Sequence, residues 1–88
     1  MACDVVQRAR FYRALGAPIR LRIIEHLLAA EGCLCICELA SQLKRDQSVV
    51  FRHIEVLREA GIVKTTKEER FLWCCIRDKK KMKTYLEE

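Results

Sequence analysis

Two amphipathic segments of this chain, residues 35–43 and 47–60, are separated by only three residues, Lys44, Arg45 and Asp46. In the second segment Val50, Ile54 and Leu57 recur at the spacing that lines one face of a helix. Asp46 stands where a helix cap is expected. In the first segment Glu38 follows Cys35 at the capping-box offset, with Cys in place of Ser or Thr. Two helices joined by so short a link read as a helix-turn-helix. The remainder of the chain has to pack around that unit.

With one Pro and three Gly in 88 residues, long helices are expected on the N-terminal side. A first helix is predicted over residues 4–15, capped by Asp4, with Val5, Ala9 and Tyr12 on its apolar face and Gly16 ending it. Pro18 suits a first helical position and opens a second helix over residues 18–30. Its stripe is Ile19, Ile23, Leu27 and Ala30, with Ile24 and Leu28 alongside, and Gly32 terminates it. After Gly61 the pattern changes to β-formers, "IVKTT" and "RFLWCCI", joined by the polar "KEE". This is a β-hairpin. Adjacent strand residues point to opposite faces, so Cys74 is expected inward with Leu72 and Ile76, and Cys75 outward with Phe71 and Trp73. The end, "DKKKMKTYLEE", reads as a last helix whose Met82, Tyr85 and Leu86 suit a dimer interface. The expected fold is mainly α with a small β-hairpin, in the order ααααββα: one winged helix-turn-helix domain over residues 1–88, with terminal helices that form a homodimer.

A domain this short buries only about two-thirds of its unfolded surface, so a partner subunit, a metal or cross-links would help it. A net charge of +5 suits an anionic partner, nucleic acid first. The N-terminus carries Arg8, Arg10 and Arg13 and lacks the apolar core of a signal peptide. No apolar run is long enough to span a bilayer. A cytoplasmic location without membrane association is expected, where thiols stay reduced. Six cysteines in such a chain point to metal or redox chemistry rather than a disulfide framework.

Specific residues now carry a family resemblance. The segment "ALGAPIRLRIIEHLL" resembles the "ALGDPTRLRIL" opening of ArsR/SmtB-type repressors, and "CICELASQL" resembles their "CVCDLA" stretch. "DQSVVFRHIEVLREAGIV" is similar to the family's "SQPTVSRHLKVLREAGLV" recognition helix, and "RFLWCCI" falls where the second wing strand lies. The resemblance covers residues 14–76 and implies a homodimeric winged-helix repressor. Such repressors lose DNA affinity when an inducer, often a metal or metalloid ion, binds. The chain departs from the pattern in several places. Ala17 replaces an Asp that would cap the second helix, Ser48 replaces Pro, and Phe51 replaces Ser. Glu69 replaces a Gly of the wing turn. The last helix has no His and should carry no zinc site.

Residues at the start of the second helix of a helix-turn-helix face base edges in the major groove. Here these are Gln47, Ser48, Val49, Phe51 and Arg52. Gln pairs bidentately with adenine, Arg with guanine, and an apolar ring meets a thymine methyl. Phe51 has an alternative role as a core filler, and His53 reads as structural. Lys64, Lys67 and Arg70 on the wing are expected at phosphates, which position the protein without specifying sequence. Lys79, Lys80, Lys81 and Lys83 would either do the same or form a solvated helix face.

The segment "EGCLCICEL" holds cysteines at 33, 35 and 37. Unpaired N–H groups at a helix N-terminus favour thiolate, which is expected to lower the pKa of Cys35 and Cys37. These two match the cysteines of the family's "CVC" motif, which supplies metal ligands in arsenic and cadmium/lead sensors. Soft thiolates select soft ions: trivalent arsenic or antimony, cadmium, lead, monovalent copper or zinc. Cys33 is the local candidate for a third ligand and Cys3 for a fourth. Residues two apart are about 200° apart on a helix but share a side of a strand. A cluster of 33, 35 and 37 therefore requires the stretch before Cys35 to be extended. No resident cofactor is implied.

Three other readings compete. One keeps the DNA binding but makes the signal oxidation or persulfidation of thiols. Another is a winged-helix regulator without inducer, its dimer cross-linked by a cysteine. An enzyme is disfavoured, because the chain lacks a CxxC motif and a catalytic His/Asp pairing.

Overall fold

The computed structural model describes residues 5–86. Cys3 and the Asp4 cap lie outside the described residues. The chain runs α1 (Val5–Ala14), α2 (Pro18–Ala29), β1 (Cys33–Cys35), α3 (Ile36–Leu43), α4 (Gln47–Glu59), β2 (Val63–Glu68), β3 (Phe71–Ile76) and α5 (Lys79–Leu86). Each expected element is present. The order ααααββα needs one correction: the segment before α3 is a strand, and the hairpin grows into a three-stranded antiparallel sheet, β1-β3-β2. Three residues are too few for a visible alternation of apolar and polar positions. The backbone turn that feeds β1 decides instead.

That turn is built at the end of α2. Glu31 and Gly32 both have positive φ, 61° and 104°. The Gly32 N–H donates to the Leu27 carbonyl at 2.6 Å, closing the helix. The Gly32 carbonyl in turn accepts from the Ile76 N–H at 2.8 Å and starts the ladder to β3. A β-carbon at Gly32 would sit 2.8 Å from Cδ of Lys79, whose Nζ donates to the Glu31 carbonyl at 3.0 Å. The backbone conformation requires glycine here, and a side chain would in addition displace Lys79.

The core lies between the helices and the inner face of the sheet. Ile23, Ile24 and Leu27 of α2, Leu39 of α3, and Val50, Ile54 and Leu57 of α4 are fully buried. Val63 and Cys74 reach them from the sheet. The stripes expected on α2 and α4 thus face inward. Two other expectations are corrected. On α1 the predicted face, Val5 and Tyr12, is exposed, and Phe11, Ala14 and Leu15 meet the core instead. Their i, i+3, i+4 spacing makes them the neighbours on one side of the helix. On α5 Met82 is buried in the core of its own chain, which leaves Tyr85 as the exposed part of the stripe.

Asp78 caps α5, its Oδ1 accepting from the Lys81 N–H at 3.0 Å, but the starts of α2, α3 and α4 have no side-chain cap. Ala17 caps α2 without a side-chain bond, as the missing Asp implies, with proline in the first turn. Cys35 and Asp46 occupy the cap positions of α3 and α4 in extended conformation, but neither side chain bonds a first-turn N–H. Lys44, at φ 58°, takes a left-handed conformation that turns the chain from α3 toward α4.

Gly32→Ala is expected to destabilise the chain by about 1–3 kcal/mol through the strained φ. Ile54→Ala should cost about 2–5 kcal/mol by leaving a cavity. Urea unfolding of each variant measures both.

Candidate functional site

The two helices of the helix-turn-helix carry different chemistry. α4 has a polar outer face in its first two turns: Gln47, Ser48, Phe51 and Arg52 are exposed, and Val49 is half-buried. Phe51 is 42% exposed, which rules out the core-filling role. An exposed ring between Ser48 and Arg52 leaves this surface mixed, with hydrogen-bonding groups beside an apolar one.

The basic residues of the wing do not share a face. Lys64 alternates with Val63 and Thr65 and stands on the solvent side of β2. Lys67 lies on the opposite side, and Arg70 sits in the turn beside Glu68 and Glu69. Glu69 has φ 57° where glycine would adopt that conformation without strain. All three basic residues are exposed. In the terminal lysine run, Lys79 is tied to Glu31, and Lys81 Nζ sits 5.5 Å from the Phe11 ring centroid and 5.9 Å from that of Tyr85.

Two histidine contacts brace the helices; the sequence marked His53 as structural without its partner and did not signal His26. His53 Nδ1 accepts from Arg20 Nε at 3.1 Å, linking α4 to α2, and Arg20 also donates to the Arg13 carbonyl at 3.3 Å. Burial and the adjacent Arg20 and Arg52 charges push the His53 pKa below its ordinary value. His53 therefore acts as a neutral acceptor with its proton on Nε2, the structural role expected of it. His26 Nδ1 pairs with Gln42 Oε1 at 2.8 Å and links α2 to α3.

The cysteines divide into three environments. Cys35 and Cys37 place their sulfurs 2.7 Å apart in a thiol–thiol hydrogen bond at the start of α3. The expectation of a lowered pKa fails at Cys37. Its hydrogen bond to Cys35, then burial, then repulsion from a Cys35 thiolate push it up. These outweigh the N–H groups of Cys37 and Glu38, which act in the other direction. Cys74 is fully buried, and burial with the nearby Cys35 charge pushes its thiol up to about 11. It faces the core as expected and stays protonated.

Cys33 is bonded to Cys75 in a disulfide across the sheet. This departs from the expected reduced thiols and from a ligand cluster of Cys33, Cys35 and Cys37. The cause is the register. Cys33 is the partner of Cys75, one step from the hydrogen-bonded Gly32–Ile76 pair. It therefore occupies a non-hydrogen-bonded pair, where antiparallel strands come closest; the two Cα atoms are 4.1 Å apart. Among the described residues no group of three or more His, Cys, Asp or Glu side chains is placed to hold a metal ion. Of the three expected ligands among the described residues, Cys33, Cys35 and Cys37, the structure brings together two, Cys35 and Cys37.

A helix-turn-helix followed by a β wing is the architecture of a class of small transcriptional regulators. Residues 17–65 match the bacterial regulatory protein, arsR family, and the chain belongs to that family. Its members are regulators of transcription and not enzymes. The chain is 35% identical over 88 residues to the transcriptional repressor SmtB homolog of Synechocystis, spanning 99% of this chain and 65% of that protein. It is 40% identical over 62 residues to the arsenic resistance transcriptional regulator ArsR1 of Pseudomonas putida, spanning 70% of this chain and 48% of that one. The chain thus spans less than two-thirds of the length of these relatives. Among solved structures HlyU from Vibrio cholerae superposes with a TM-score of 0.80 at 26% identity, covering 97% of this chain and 94% of HlyU. No helix among the described residues is long and apolar enough to cross a membrane.

The lowered His53 pKa has a consequence for stability. The unfolded chain takes up a proton at this site at higher pH than the folded chain does. The contribution of neutral His53 is complete above about pH 6.5, the ordinary histidine value, and is lost as pH falls from there through the folded pKa. His53→Gln should flatten the dependence of the thermal midpoint on pH below about 6.5, measured by circular dichroism.

Proposed function

We propose that this chain acts as a homodimeric transcriptional repressor that holds operator DNA through α4 and releases it when a thiophilic metal or metalloid ion binds Cys35 and Cys37. The observation that carries the reading is the convergence of these two sulfurs, 2.7 Å apart, on the helix that leads into the reading helix. The names of the arsenic regulator and the SmtB homolog favour an inducible repressor of this kind.

On the DNA side, Gln47, Ser48, Val49, Phe51 and Arg52 would enter the major groove. Arg52 suits guanine, Gln47 adenine, and the exposed Phe51 ring a thymine methyl. Lys64, Lys67 and Arg70 would neutralise phosphates, from both sides of the wing. The exposed Val5, Val6, Tyr12 and Tyr85 supply an apolar surface on the terminal helices for the second subunit. His53 keeps α4 braced to α2 through Arg20 and stays off the DNA.

On the inducer side, trivalent arsenic or antimony, or cadmium, lead or zinc, matches soft sulfur donors. The ion would supply positive charge that stabilises both thiolates. The residues would do the rest: Cys35 and Cys37 would hold the ion as thiolates, each giving up its own S–H proton to solvent, at the cost of the thiol–thiol hydrogen bond between them. Because α3 leads into α4 through the three-residue turn at Lys44, a change at the first turn of α3 shifts the angle at which α4 is presented. Couplings of this kind are about 1–3 kcal/mol, a factor of roughly 5–150 in DNA affinity.

Cys35→Ser and Cys37→Ser are expected to bind operator DNA as tightly as the parent and to stay bound when arsenite or cadmium is added, read by fluorescence anisotropy. Normal release from both variants would refute the site. Arg52→Ala should weaken operator binding by about 1–3 kcal/mol, and it should relax base preference at one position. Lys64→Ala should weaken all sequences alike and reduce the salt slope by about one.

A further inference from the structure

The Cys33–Cys75 disulfide lies beside the thiol pair, and the function proposed above leaves it without a part. Cys33 and Cys35 are alternate residues of one strand, so they lean to the same side of β1. Cys35 in turn touches Cys37. Cys33 is thus the nearest further sulfur along the chain on that side, and it is the one taken out of use by Cys75. Cys74 is fully buried on the opposite, core-facing side of the sheet, paired with Leu34 rather than with Cys33 or Cys35. Cys33 is exposed at the sheet edge, open to attack by a small thiol.

We propose that the Cys33–Cys75 disulfide is a redox gate on the Cys35/Cys37 site, withholding Cys33 as the third sulfur ligand of a soft ion until the bond is reduced. The inference rests on the reading of Cys35 and Cys37 as the inducer site. The chemistry is a thiol–disulfide exchange with a low-molecular-weight thiol of the glutathione class. Its thiolate attacks the Cys33 sulfur, the Cys33–Cys75 bond breaks, and Cys75 leaves as a thiolate that takes up a proton. A second thiol molecule then attacks the mixed disulfide on Cys33 and carries the first away as its own disulfide. Cys33 is released as a thiol. The chain gains two electrons and two protons, and two small thiols are oxidised to one disulfide. Re-oxidation by the small disulfide runs the same steps backward. The fold suits such a bond: a cross-strand pair in an existing register forms and opens without moving the sheet. In this scheme the chain senses the ion fully only in a reducing environment, where Cys33, Cys35 and Cys37 act together.

Arsenite itself is the probe. Protein with the bond intact, checked by peptide mapping, is compared anaerobically with protein reduced by a phosphine and desalted. Binding is followed by the near-ultraviolet sulfur–arsenic absorption and by titration of the thiols that remain. Reduced parent protein should bind one equivalent, consume three thiols, and bind at least tenfold more tightly than the bonded form. Cys75→Ser, which cannot form the bond, should behave like reduced parent without any reduction. Reduced Cys33→Ser should bind as weakly as the bonded parent, with circular dichroism confirming that both variants fold. Equal affinity of bonded and reduced parent would overturn the gate, as would parent-like binding by reduced Cys33→Ser. So would failure of the Cys33–Cys75 bond to form in a glutathione disulfide buffer. In those cases loss of binding in reduced Cys35→Ser would still uphold the inducer site. Parent-like binding by Cys35→Ser would instead remove the site and the gate together.

Discussion

The hydrogen bond from the Ile76 N–H to the Gly32 carbonyl is the joint on which the site depends. It fastens the chain leaving α2 to the last residue of the wing, and it sets the register of β1 on β3. From that register follow the pairing of Cys33 with Cys75, the burial of Leu34 against the core, and the position of Cys35 at the start of α3. The helix-turn-helix is thereby attached to the sheet at its front as well as through the core. A shift of one residue would turn Leu34 outward and bring Cys33 and Cys35 inside. The burial of Leu34 specifies one answer.

The same joint explains why the cysteines of one short segment meet such different conditions. Strand geometry sends Cys33 toward the neighbouring strand. The helix start turns Cys35 and Cys37 toward one another. Electrostatics then separates them further: a neighbouring sulfur raises the Cys37 thiol, and the apolar core raises Cys74. Helix-end N–H groups alone predict an acidic Cys37. They lose because a second thiol close by penalises charge more strongly than the first turn of a short helix rewards it.

Most of the helical frame was legible from residue pattern. The stripes Ile19–Ile23–Leu27 and Val50–Ile54–Leu57 repeat often enough for the helical period to dominate, and Pro18, Gly16 and Gly61 punctuate them. The alternation of Cys74 and Cys75 followed from strand geometry and holds. Less was legible where a choice depends on partners distant in sequence. The strand Cys33–Cys35 exists because β3 is available to pair with it, and Cys33 meets Cys75 across 42 residues of chain. On α1 two apolar faces compete, and only the position of the core decides between Tyr12 and Phe11. The caps at Asp46 and Cys35 were anticipated by position, yet their side chains make no capping bond.

Trp73 is the cross-strand neighbour of Cys35, and it is the single tryptophan of the chain. Its indole is half-buried on the outer side of the sheet, with Cys35 opposite it on β1 and the disulfide-bonded Cys75 two residues along β3. Emission from one indole in that position reads two events without any label. A heavy ion on the adjacent sulfurs would quench it, and opening of the neighbouring disulfide would change its surroundings. The molecule therefore contains its own optical gauge, placed by β-sheet register next to the chemistry it would report.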